Sequence, residues 1–165
     1  MIQKRIDSKN FDKNFENLLK TKKGKNILKG RFDIESSQLV KKIDFIIYLL
    51  SSIKLINGLT YKILFWEEVT PLQNLIECYI DKKYIMTIPY KNGKLPGVIF
   101  IDDKILDELF LKELLTNHFN YELAKDPSLN LRVQICVNQE DYLTLLDIYD
   151  DRGFDTYYVE VSKGG

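Results

Sequence analysis

The chain has 165 residues, with 24 basic and 24 acidic side chains and 45% hydrophobic residues. That length and apolar content suit one domain with a sizeable core and exclude intrinsic disorder, while four prolines and eight glycines exclude linker-type and collagen-like chains. Zero net charge argues against a general nucleic-acid coat protein.

In chain order, Ser8 caps an expected helix over 8–20, where Phe11, Phe15, Leu18 and Leu19 recur at helical spacing. A glycine and a lysine cluster end it. The stretch 27–34, ILKGRFDI, reads as a strand. Ser36 or Ser37 caps a second helix with the stripe Leu39, Ile43, Ile46, Leu50 and Ile53, and Asn57-Gly58 terminates it. YKILFW, 61–66, is a short run of β-branched and aromatic residues, hence a strand. Thr70-Pro71 reads as an N-cap and a first-turn proline before a helix with Leu72, Leu75, Ile76, Tyr79 and Ile80 on one face. Strands are expected over 84–90 and 98–101, with Pro89 placing the first at a sheet edge. Asp102 or Asp103 starts a helix to about Phe119. It is apolar nearly all round, so it is well covered or broken near Phe110.

The stretch 132–137 is a strand. Tyr142, Leu145, Leu146 and Tyr149 fit a helix closing at Gly153 equally well as a strand followed by a DDRG hairpin turn. The stretch 154–161 alternates with a two-residue period and is the last strand. The organisation is a single domain over 1–165, with a helical appendage over 1–26 and a core α+β domain over 27–161. The run from Phe45 to Leu59 holds two serines, Lys54 and Asn57 and is too short to span a bilayer. The first residues carry no apolar signal-peptide core, and Cys78 and Cys136 read as buried thiols in a reducing compartment. A cytoplasmic protein is the expectation.

Charge is unevenly spread along the chain. Residues 1–30 carry a net +6, residues 31–101 a net +2 and residues 102–165 a net −8. Such asymmetry steers partners of opposite sign. Catalytic patterns are missing: the only histidine, His118, lies among apolar neighbours and reads as structural. No phosphate-binding glycine loop or nucleophile elbow is present. The basic residues Lys20, Lys22, Lys23, Lys25, Lys29 and Arg31 are open to phosphate contacts, or simply solvated. Trp66, followed by Glu67 and Glu68, sits where an interface anchor or a half-buried core tryptophan would sit.

One segment reads like a motif. IYDDRGFDTYYVEV, 148–161, groups Asp150, Asp151, Arg152 and Asp155 around Gly153, whose backbone freedom suits a tight reversal. Arg152 and Gly153 are structural in this reading, and the acids form either a solvated turn or a cluster that meets a cation or basic partner. The segments GRFDI (30–34), LLTNHFNYELAKDPSLNLRVQICVN (114–138) and IYDDRGFD (148–155) together resemble a bacterial family of small domains of unknown function marked by a Y-D-D-R-G-x-D signature. In that family the signature follows a strand. The resemblance thus implies strand over 143–149. With the alternation and the turn chemistry at Gly153, it gives a predominantly antiparallel α+β fold with a meander of 132–137, 143–149 and 154–161, but no activity.

The expected function is a non-enzymatic, protein-binding domain, of the kind that neutralises a basic bacterial toxin. Its candidate contacts are Trp66, Asp147, Asp150, Asp151, Asp155 and Glu160, with no cofactor, metal or membrane involved. The alternatives are a metal-dependent enzyme using Asp150, Asp151 and Asp155, and a nucleic-acid-binding adaptor using the basic N-terminus.

Overall fold

Strands of alternating burial organise the molecule. The computed structural model describes residues 28–31, 39–52, 59–89, 96–103, 106–138, 142–150 and 153–160. The helix expected over 8–20, the appendage it defines, and residues 151–152 of the signature lie outside them. In chain order the described elements are β1 (Leu28–Arg31), α1 (Leu39–Ser52), β2 (Leu59–Phe65), α2 (Val69–Glu77), a 3-10 turn (Lys82–Tyr84), β3 (Ile85–Ile88), β4 (Gly97–Asp103), α3 (Glu108–Glu122), β5 (Leu131–Asn138), β6 (Tyr142–Asp150) and β7 (Gly153–Glu160). The strands form one antiparallel sheet in the order β1-β7-β6-β5-β2-β4-β3.

This is the α+β class expected, and the C-terminal meander is present as β5, β6 and β7. The ambiguous stretch is strand: Leu143 to Ile148 pair with β5, and Asp150 stands opposite Gly153 with two residues between them. Between Asp147 and Asp150 the β6–β7 register slips, so β6 carries one residue more than its partner, a bulge just before the turn. β3 is an edge strand, and Pro89 follows its last residue, as the sequence implies.

The described helices cover one face of the sheet. On that face lie Leu59, Tyr61, Ile63 and Phe65 of β2, Ile99 and Ile101 of β4, Val133, Ile135 and Val137 of β5, and Leu146 and Ile148 of β6, all buried. They share one core with Ile43, Ile46, Ile47 and Leu50 of α1, Leu72 and Ile76 of α2, and Phe110, Leu111, Leu114, Leu115 and Phe119 of α3. The Tyr61 and Phe110 rings meet edge to face with centroids 5.6 Å apart. Gly97 lies opposite Phe65, and a Cβ there would fall 2.3 Å from the Phe65 ring. Only glycine lets the strand pass this close under a buried aromatic ring.

Two helix starts differ from expectation. Asp102 and Asp103 belong to β4, because the β2–β4 ladder continues through them to Thr60 and Leu59. The helix is capped instead by Asp107, whose Oδ1 accepts from the Phe110 N–H at 3.0 Å, and it runs unbroken past Phe119 to Glu122. Thr70 is not an N-cap either. α2 begins at Val69, after Glu68, which makes no side-chain cap, and Pro71 occupies the third helical position, where a missing N–H costs no intrahelical bond.

α3 is well covered, and its buried amides are satisfied locally. Asn117 Nδ2 donates to the Glu113 carbonyl and Asn120 Nδ2 to the Pro127 carbonyl, each at 2.9 Å. The helix ends in a Schellman turn: Lys125 N–H reaches the Asn120 carbonyl at 3.0 Å and Ala124 N–H the Tyr121 carbonyl at 3.3 Å. Ala124, the chain's sole alanine, takes the left-handed position there with φ 53°. Among the described residues no helix is long and apolar enough to cross a membrane.

Candidate functional site

Antiparallel pairing brings distant parts of the sequence to one end of the sheet. β2 ends there at Phe65, opposite Leu131 at the start of β5. The next residue, Trp66, donates its backbone N–H to the Asn130 carbonyl at 3.4 Å. β6 ends at the same side, since Val133 pairs with Ile148, and the Asp150–Gly153 reversal follows. Trp66 and the end of β6 are thus about two strand spacings apart, roughly 10 Å.

Trp66, Glu122, Asn130, Leu131 and Arg132 line an open cleft of about 310 Å3 at this end. Trp66 is half-buried, and Glu67, Glu68 and Glu122 are exposed. Trp66 and its two glutamates were readable as a candidate anchor. Glu122, Asn130 and Arg132 were not, because their proximity depends on the α3–β5 loop returning the chain to the end of β2.

Asp147 requires a correction. It was expected among the accessible acids, but it is 2% exposed. It lies on the sheet face opposite the described helices, where Arg132 grips it with two bonds. Nε donates to Oδ1 at 3.0 Å and Nη2 to Oδ2 at 2.6 Å, with Gln134 Nε2 at 3.4 Å from Oδ1. A carboxylate so enclosed cannot act as a rim charge. It neutralises Arg132 instead, whose side chain is 40% exposed. The meander held a signal for this: Arg132, Gln134 and Asp147 share one face once 132–137 and 143–149 pair antiparallel.

The remaining acidic candidates do not converge on a single point. Asp150 stands at the Trp66 end of the sheet. Asp155 lies in register between Asp147 of β6 and Lys29 of β1. Glu160 pairs with Tyr142 at the opposite end of the hairpin. Asp151 and Arg152 lie outside the described residues, and Gly153 pairs with both Asp150 and Arg31.

Elsewhere, His118 is buried on α3 with its ring 5.2 Å from that of Phe119. Cys136 is part-buried, and burial pushes its thiol up to about 12, whereas Cys78 is exposed rather than buried as expected. It falls at the C-cap of α2, off the helix's apolar face. Tyr79 donates its hydroxyl proton to Glu113 Oε2, and this bond raises the phenol above its ordinary range. Among the described residues, no three histidine, cysteine, aspartate or glutamate side chains are grouped to hold a metal ion. No protein-family description, curated protein or solved structure matches this chain.

Proposed function

We propose that this protein is a non-enzymatic binding domain of the immunity type, which recognises a basic protein partner such as a toxin domain and occludes it. The observation that carries this reading is the end of the sheet where the chain's only tryptophan stands half-buried beside exposed Glu67, Glu68 and Glu122. A half-buried aromatic residue with carboxylates nearby has the composition of a hot spot with a charged rim. The net −8 of residues 102–165 supports the same reading, since a field of that sign accelerates encounter with a basic surface. Asp150, where β6 ends, lies at the same end of the sheet.

The test is binding kinetics against the product of the adjacent reading frame at two salt concentrations. The wild type is compared with a variant carrying Glu67→Lys and Glu68→Lys. Association should be fast, should slow with added salt, and should slow further in the variant, while dissociation changes little. Absence of binding, together with metal-dependent turnover of RNA or DNA that is lost in an Asp150→Asn, Asp151→Asn variant, would replace this reading with the enzymatic one.

A further inference from the structure

Resting on the binding reading above, the geometry points to the Trp66 cleft as a receptor for one cationic side chain of the partner, a guanidinium in preference to an ammonium. Three observations carry it. First, the lining has one uncompensated charge. Arg132 is held by Asp147 through two hydrogen bonds and is neutralised in place. That leaves the carboxylate of Glu122, which is exposed and forms no ion pair with the described residues. An anion entering here would meet Glu122, and a cation would be drawn in.

Second, the wall is the indole of Trp66, the best aromatic partner for a cation, and a planar guanidinium can stack on it while donating sideways to a carboxylate. Asn130 lines the cleft beside it. Third, the cleft is small and open. About 310 Å3 lies at the bottom of the range for small-molecule sites, so it accommodates a side chain presented by a partner's surface rather than a cofactor-sized ligand. The lining is also well anchored. Trp66 and Asn130 are tied by a backbone hydrogen bond, Leu129 N–H bonds the Asn117 carbonyl, and the Schellman turn fixes the chain just after Glu122.

Because Trp66 is the only tryptophan, its fluorescence reports on this cleft alone. The full chain is titrated with Nα-acetyl-arginine amide and, separately, with the citrulline amide, which has nearly the same shape but no charge. The expected result is a saturable change in Trp66 emission with the arginine compound, weakened several-fold by Glu122→Gln and by high salt, and absent with the citrulline compound. Equal responses to both compounds, or an unchanged response in Glu122→Gln, would overturn the assignment. A second measurement separates this claim from the reading beneath it. Trp66→Phe and Glu122→Gln, each checked for native circular dichroism, are tested against the basic partner. Faster dissociation in both supports the cleft. Wild-type kinetics in both, with binding still sensitive to Glu67→Lys and Glu68→Lys, would sink the cleft and leave the binding reading standing.

Discussion

On the face of the sheet that meets the helices, every buried strand residue named above is apolar except Tyr61, and each contributes to one continuous core. The opposite face is built by a different rule. Lys62 of β2 stands over the Phe100 ring at 5.9 Å, and Gln134 and Asp147 follow on the next two strands in register. Phe100, Gln134, Leu145 and Asp147 are nonetheless at most 2% exposed, so this face also withholds side chains from water while using charge. The difference teaches that alternation assigns faces without assigning their character. A polar residue at an outward position is either solvated or enclosed by a partner, and the partner decides which.

The largest effect should come from the apolar face. Phe110→Ala removes a fully buried ring from between Tyr61 and the rest of the core, and should cost about 3–5 kcal/mol in chemical denaturation. A cost under about 1 kcal/mol would mean the helix–sheet interface is loosely packed. Asp147→Ala tests the polar face and should cost about 1–3 kcal/mol, less than a fully buried pair because Arg132 retains solvent access. The double variant Arg132→Met, Asp147→Leu should recover most of that loss, since it leaves no unpaired charge behind. If it does not, the pair sets strand geometry beyond its electrostatics.

Cys136 sharpens the same contrast chemically. It is on the polar face, opposite Leu145, and burial lifts its thiol from 9.0 to about 12. With a thiol reagent at pH 8, Cys78 should react promptly and Cys136 only after unfolding. The sign for stability follows from linkage. The folded state holds this proton more tightly, so its contribution is complete below the ordinary thiol range and drains away as pH climbs from about 9 toward about 12. Cys136→Ala should flatten that alkaline decline. The smallest effect belongs to neither face: Ala124→Gly relieves a left-handed alanine and should add up to about 1 kcal/mol, a rise of roughly 2–4 °C in Tm.

Local rules made much of this architecture legible. The β-branched and aromatic run 61–66 specified a strand, as did 132–137, and Pro89 marked an edge. The helix stripe named Ile43, Ile46 and Leu50, which α1 buries, but missed Lys42 and Ile47, which it buries as well. Strand order was not legible. Nothing local says that β5 pairs with β2, or that β1 joins β7, because those choices depend on how whole elements pack. The site divided along the same line. Trp66 announced itself by its position at a strand end, whereas Glu122 and Arg132 became its neighbours only through a long-range crossing. Asp147 misled because a carboxylate near a turn carries the same signature whether it is solvated or gripped.

The pairing of β1 with β7 has a consequence for how the protein is made. Leu28 hydrogen-bonds into the sheet opposite Thr156, near the other end of the 165-residue chain. During synthesis β1 therefore leaves the ribosome long before its partner exists. β2 and β4 can zip early, but this edge of the sheet stays open until β7 emerges. Pairings of such long span slow folding and leave strand edges exposed meanwhile. The glycine and two basic residues of β1, KGR after Leu28, make that waiting strand a poor template for association with other nascent chains.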